Sequence, residues 1–474
     1  ALCIFFSGRH PLGEPISEMW KQNFLLMTDN NSPSRPRFAT RFGVIATTVG
    51  SAVGLGNIWR FPYEAGENGG GAFLMLYIFF VAAIGVPVVC AEFLMGRSSR
   101  LNIFGAFRSL APRSGKAWVA VGCMGIAASV MILAFYSVVA GWTLEYLYES
   151  LAGKINDMGG MTRHTAFDNF TAGWGCVAWT IAVLVINAVV LLGGVRKGIE
   201  RVSNVLMPVL FVILIVLCVN SLLLPAAGEG LRFLFAPDFG AIDSSVVISA
   251  LGQAFFSLSL GVGTMMIYGS YFDERVPIVR SAVTTASLDT LVAILAGILI
   301  FPAVFSFGGS PAGGPRLVFE VLPDIFAQMP GGSLWASAFF LLLALASITS
   351  TISMSEICVA FLCEQWGMRR PVAVAVNALV AIGLGTLCAM SFGPLSHVKI
   401  FDMTVFDLFD YVTSNILMPL SGMLIAIFVG WVLRRNVVDR ELSPAPRAVV
   451  NIIVFCLRYL APAAIALIFI NGLL

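Results

Sequence analysis

Two short runs of this sequence set oxygen-bearing side chains among glycines: Gly50, Ser51, Ala52, Val53, Gly54, Leu55, Gly56, Asn57, and Phe256, Ser257, Leu258, Ser259, Leu260, Gly261, Val262, Gly263. Glycine weakens a helix, and unwound backbone at membrane depth is tolerated only where it is buried in protein or lines a cavity. Amides and carbonyls freed there are available to a substrate and to cations. Asn57 in one run, and Ser257 and Ser259 in the other, add side-chain oxygens to that backbone. Glycine in membrane helices is also a close-packing device, and either run alone is open to that reading. Two similar runs in register between two halves of the chain favour the break.

Other chemistries find no set of residues. An intramembrane enzyme would need a His-Glu zinc motif, an aspartate pair or a Ser/His set at membrane depth. His10, His164 and His397 all fall outside the expected spans. The nine cysteines show neither metal-ligand nor C-x-x-C spacing, which leaves them as small buried apolar residues.

The elements that must hold the two runs are membrane helices. The 474 residues are 58% hydrophobic and 11% charged, with a mean hydropathy of +0.90, so the solvent for most of the chain is lipid. Windows of roughly 20 apolar residues give eleven expected spans, near 39–66, 72–97, 116–149, 173–193, 198–224, 245–272, 276–307, 333–366, 371–392, 404–433 and 447–471. The glycine runs fall in spans 1 and 6. Five spans from one break to the next make a five-plus-five repeat, and because five is odd the second half is threaded in the opposite direction. The expected fold is therefore an all-α polytopic membrane protein. Its parts are a mobile cytoplasmic segment 1–38, of which 1–26 reads as upstream of the native start, a first repeat 39–224, a second repeat 225–433, and a last span within 434–474.

Charge orients the chain. With the N-terminus inside, the outer loops hold only Lys154, Arg163, Arg232, Arg316 and Lys399, while the basic residues near 35–41, 97–116, 196–201, 275–280, 369–370 and 434–447 lie inside. An odd number of spans leaves the last residue outside. The basic residues form no nucleic-acid-binding patch, and nothing in the chain specifies an oligomer.

The stretch Arg41–Phe73, with Gly54, Leu55, Gly56, Asn57, Ile58, Trp59, Arg60, Phe61, Pro62 and the run Glu67–Phe73, strongly resembles the neurotransmitter:sodium symporter family, in particular its bacterial amino acid transporter branch. Further matches are Glu92–Arg97, Gly198 through Pro208, the span 6 break and Ala346–Thr351, so the similarity runs from about Arg35 through span 11. The resemblance implies sodium-coupled symport of a neutral, hydrophobic or aromatic L-amino acid across a bacterial inner membrane by alternating access. A sodium-dependent amino acid sensor on the same fold, a passive channel and, more remotely, an intramembrane enzyme are the alternative readings.

Carried onto matching positions, the resemblance implies two sodium sites. The first uses Ala52, Asn57, Ser257 and Asp289, completed by the substrate carboxylate. The second uses Gly50, Val53, Ala346, Thr349 and Ser350. Read without the family, Thr349 and Ser350 would bond their own i−4 carbonyls. The substrate carboxylate is expected at the amides of Leu55 and Gly56, at a helix N-terminus, with the hydroxyl of Tyr136. The ammonium faces carbonyls of Phe256 and Ser257, and Phe256 closes the site from outside. Ile132, Ser259, Val262, Thr351 and Met354 line the side-chain pocket with Leu55, and Ala52, Gly56 and Ser350 belong to the same set. Gly54 stands where monoamine-carrying relatives place an aspartate, which favours an amino acid.

The implied gates are charge pairs: Arg60 with Asp410, Asp407 a turn away, on the outer side, and Arg35 with Glu364 on the inner side. Gly198 and Pro208 mark an inward-opening hinge in span 5. Chloride-dependent relatives carry asparagine at position 289. Asp289 therefore implies a built-in anion and no chloride requirement.

Overall fold

A computed structural model describes residues 37–111, 115–156, 162–312, 314 and 317–473. Among them all regular structure is helical, apart from two isolated bridges, Gly70 with Pro237 and Ile400 with Met403. Among the described residues nine helices are long and apolar enough to cross a membrane: Gly71–Ser99, Val119–Leu151, Trp174–Leu192, Val195–Leu222, Ile278–Ser306, Gly332–Trp366, Arg370–Met390, Val405–Val432 and Arg447–Leu467. The other two expected spans are interrupted. Span 1 is a pair, Arg41–Ala52 and Gly56–Glu67, bent by 49° at its break. Span 6 is Ser244–Ser257 and Thr264–Ser270 with a non-helical stretch between.

Each break has a local cause. At Val53 the backbone turns extended, and the freed amide of Gly54 donates instead to Asn57 Oδ1 at 3.1 Å. In span 6, Gly261 and Gly263 take φ of 82° and 90°, a region that favours glycine, and Ser259 takes 51°. A Cβ on Gly261 would overlap the Met418 carbonyl of span 10, so glycine is needed for contact as well as for conformation. The Gly261 amide is received by Glu92 Oε1 of span 2 at 2.8 Å, with Glu92 fully buried.

The inner half of span 1 is held by span 5. Thr40 caps it through Gly43 N, and the buried Glu200 carboxylate accepts from the amides of Ala39 and Thr40. Glu200 closes a π-helical turn, Val195–Glu200, that contains Gly198 and leads into a continuous helix with Pro208 inside it. The expected hinge is thus fully wound.

Of the expected segment 1–38, residues 1–36 lie outside the described residues, and Arg35 with them. Arg37 pairs with Asp273 at 3.0 Å, and Phe38 is buried against the rings of Tyr268, Tyr271 and Phe272. Phe38 is therefore packed into the bundle, with Arg37 held at its surface.

Candidate functional site

Three side chains from three spans meet at the first break. Asn57 Nδ2 donates to Ser257 Oγ at 2.9 Å and to Asp289 Oδ1 at 2.8 Å, and Ser257 Oγ donates to Asp289 Oδ2 at 2.6 Å. Tyr77 of span 2, absent from the sequence expectation, adds its hydroxyl to Ser257 Oγ at 3.1 Å and to Asp289 Oδ2 at 3.4 Å. All four are buried. Among the described residues no cationic side chain pairs with Asp289. An ionised carboxylate at this depth needs a cation or a proton. Asn57 turns its Nδ2 to this cluster and its Oδ1 to the Gly54 amide, so the oxygens that face the charge are those of Asp289, Ser257 and Tyr77 and not the expected oxygen of Asn57. Hydroxyl and carboxylate oxygens around a single charge fit an alkali cation. Among the described residues no group of three His, Cys, Asp or Glu gathers as a transition-metal site would require.

The second expected set gathers where span 1 meets span 8. Ser350 Oγ donates to the Val53 carbonyl at 3.4 Å, and a Cβ on Gly50 would stand 3.7 Å from Thr349 Cβ. The Thr349 hydroxyl donates back to Leu345 O at 3.1 Å and Ala346 O at 3.0 Å. These are the helix-internal bonds expected of threonine without the family. They leave the hydroxyl's lone pairs free to accept a cation.

Beside both sets lies a cavity of about 20 Å³, room for one water. Of the expected substrate residues, Ala52, Gly56, Ile132, Tyr136, Phe256, Ser259, Val262, Ser350 and Met354 line it. Gly54 and Met418 line it as well. Leu55, Ser257 and Thr351 do not. The Leu55 amide donates to Tyr136 OH at 2.7 Å, Ser257 serves the carboxylate cluster, and Thr351 turns to Asn187 of span 4 at 3.2 Å. A Cβ on Gly54 would fall 2.5 Å from Ser350 Oγ and 2.6 Å from Tyr136 OH, so two hydroxyls occupy the place an aspartate would claim.

Phe256 separates this cavity from an outer vestibule of about 210 Å³ and lines both, as does Met418. Arg60 sits over the Phe256 ring at 4.4 Å and pairs with Glu64 at 3.3 Å, one turn along the same helix. The expected Arg60–Asp410 pair is not formed. An i,i+4 partner is reached without closing the vestibule, and Asp410 accepts from Ser414 at 2.9 Å instead. Thr404 caps the helix that carries Asp407, accepting from the Asp407 amide at 3.2 Å and donating its hydroxyl to Asp407 Oδ2 at 2.7 Å. On the inner side Glu364 receives the amide and Nδ2 of Asn102, both at 2.8 Å, ordering the loop after span 2.

Sequence reasoning also passed over Gln253, whose Nε2 donates to Gly56 O at 2.7 Å, and Glu200. A lone carboxylate or amide in an apolar run is a usable signal, and Gln253 and Glu92 both gave it.

A bundle whose first and sixth helices break around an oxygen-lined midplane cavity defines a secondary transporter. The chain matches the Sodium:neurotransmitter symporter family over residues 35–158 and 161–474, and it belongs to that family as a sodium-dependent symporter. It is 38% identical over 439 residues to an uncharacterized sodium-dependent transporter of Bacillus subtilis, covering 92% of this chain and 97% of the relative. A serotonin transporter of Drosophila melanogaster is 29% identical over 78% of this chain and 66% of its own length. Among solved structures, MhsT in complex with L-phenylalanine superposes with a TM-score of 0.86 at 42% identity, covering 93% of this chain and all of that one. The relatives are transporters, not enzymes.

Proposed function

We propose that this chain carries a neutral, hydrophobic or aromatic L-amino acid into a bacterial cell across the inner membrane, with two sodium ions and without chloride. The observation that carries the reading is the Asn57–Ser257–Asp289 cluster, a buried carboxylate with only neutral partners beside the Leu55–Gly56 break. A cation there neutralises Asp289, and the substrate carboxylate reaches the same ion and the hydroxyl of Tyr136. The span 1–span 8 set takes the second ion. The substrate class is supported by the apolar walls Ile132, Val262 and Met354, by the absence of an acid at Gly54, and by the phenylalanine bound to MhsT.

At about 20 Å³ the cavity must widen to take an amino acid, and the wound span 5 hinge and the Phe256 lid are the parts that move in alternating access. Each sodium entering down about 100 mV and a tenfold gradient supplies roughly 2.3 plus 1.4 kcal/mol. Two ions then support roughly 10⁵-fold accumulation of a zwitterion. The basic loops support a cytoplasmic position for the N-terminal side of span 1. Uptake of radiolabelled phenylalanine, tryptophan, leucine and alanine into proteoliposomes, with and without an inward sodium gradient, tests the reading. Saturable uphill uptake of the larger apolar residues supports it. Uptake that neither saturates nor responds to sodium refutes it.

A further inference from the structure

We propose that the surface where spans 10 and 11 meet, at Trp431 and Arg458, binds the phosphate of an anionic phospholipid. Span 10 ends at Val432, and Leu433, in extended conformation, leads to Arg434 and Arg435. Phe428, two residues before Gly430, packs on the rings of Phe107 and Trp118 in the connection from span 2 to span 3, so this end of span 10 lies at the same boundary as that loop. Arg458 is tied to that level. Its Nε donates to Gly430 O at 2.6 Å, its guanidinium lies over the Trp431 ring at 5.3 Å, and Trp431 Nε1 returns a bond to the Arg458 carbonyl at 3.1 Å. A Cβ on Gly430 would stand 3.0 Å from Arg458 Cγ, so glycine leaves the passage the arginine stem uses. Both helices carry a π-turn at this point, Phe428–Val432 and Cys456–Leu460, a feature frequent at functional sites.

A guanidinium has five N–H donors in a planar fork. Among the described residues only Nε of Arg458 has a hydrogen-bond partner, and no carboxylate pairs with the group. The nearby acids are engaged elsewhere: Asp439 by Arg435 at 2.8 Å, Glu441 by Arg97 at 2.7 Å and Arg440 at 3.2 Å. Around this charge Trp431, Phe455 and Tyr459 pack ring to ring at 5.4 Å and remain 56%, 59% and 51% exposed. The complement of a planar cation inside an apolar aromatic rim, at headgroup depth, is a phosphate that brings acyl chains with it. The two outer nitrogens grip its oxygens and the rings receive the chains. The exposed Arg434 at the same boundary favours a head group without a cation of its own, which a choline head would bring against it.

The test uses the full chain in nanodiscs containing photoreactive phosphatidylglycerol or phosphatidylcholine of identical chains, with cross-linked peptides mapped by mass spectrometry. Phosphatidylglycerol should label the peptides holding Trp431 and Tyr459 in preference to phosphatidylcholine, and Arg458→Gln should cut that labelling about fivefold, the worth of one basic residue at a membrane surface. If Arg458→Gln fails to fold by thermal melting, Trp431→Leu, which keeps the charge and removes the ring, should lower the labelling at least twofold. Equal labelling by the two lipids overturns the proposal. So does labelling unchanged in the folded variant, and so do cross-links joining these peptides to a second copy of the chain.

Discussion

Arg60 covers the outward face of Phe256, its guanidinium 4.4 Å from the ring centroid, while its Nε is held by Glu64. The ring in turn covers the small cavity, so one cation bears on the lid. A partly desolvated cation–π contact is worth up to about 2 kcal/mol. Arg60→Gln should therefore speed substrate dissociation toward the outer side by roughly tenfold and lower the melting temperature, because Glu64 loses its partner. Stopped-flow release of a bound amino acid measures it, and an unchanged rate removes Arg60 from the lid.

Asp289→Asn exchanges the one charge in its cluster for a neutral group of the same shape. Sodium-driven uptake should fall at least tenfold, and chloride should restore part of it. Wild-type uptake should be the same in chloride and gluconate. A wild type that stops in gluconate would show that Asp289 is not the built-in anion.

The two oxygen clusters are expected to differ when truncated. Asn57→Ala leaves the Gly54 amide and Asp289 short of partners, costing about 1–3 kcal/mol of stability as well as sodium-dependent binding. Thr349→Ala removes only bonds within its own helix and should lose sodium-dependent binding at near-native stability. Calorimetry with sodium titrated against each variant separates the two effects.

Much of this was legible in the chain and some was not. The breaks in spans 1 and 6 announce themselves because glycine clusters at membrane depth demand a reason. The meeting of Asn57, Ser257 and Asp289 came only through resemblance, since no local period links residues 200 and 232 positions apart. Tyr77 stayed hidden because an aromatic in an apolar span has no distinguishing pattern. Arg60 was assigned a distant acid when the i,i+4 rule already offered Glu64. Thr351 was assigned to the pocket wall, but helix phase turns it to Asn187.

Val262→Phe should weaken aromatic substrates at least tenfold and alanine much less. Val262 is buried at a cavity wall with little slack, and an added ring competes with the substrate's own. Competition binding across a size series reads it, and equal losses for small and large substrates would take Val262 out of the pocket.

Glu200→Ala should free the inner half of span 1. Two amides at an exposed helix start lose their buried acceptor, where a lost cap costs about 0.5–2 kcal/mol. Hydrogen exchange in residues 39–46 should quicken several-fold, with the Trp174–Leu192 helix as an unchanged reference. Exchange that is uniform in both would show that span 5 does not hold span 1.

The contact of Gly261 with the Met418 carbonyl also constrains descent. A side chain at Gly261 is excluded by its positive φ and by span 10 at once, so a lineage in search of a new cargo cannot drift there. Val262 beside it and Met354 across the cavity meet no such double restriction. Divergence in what relatives carry should accumulate at these neighbours, around a break in span 6 that stays the same.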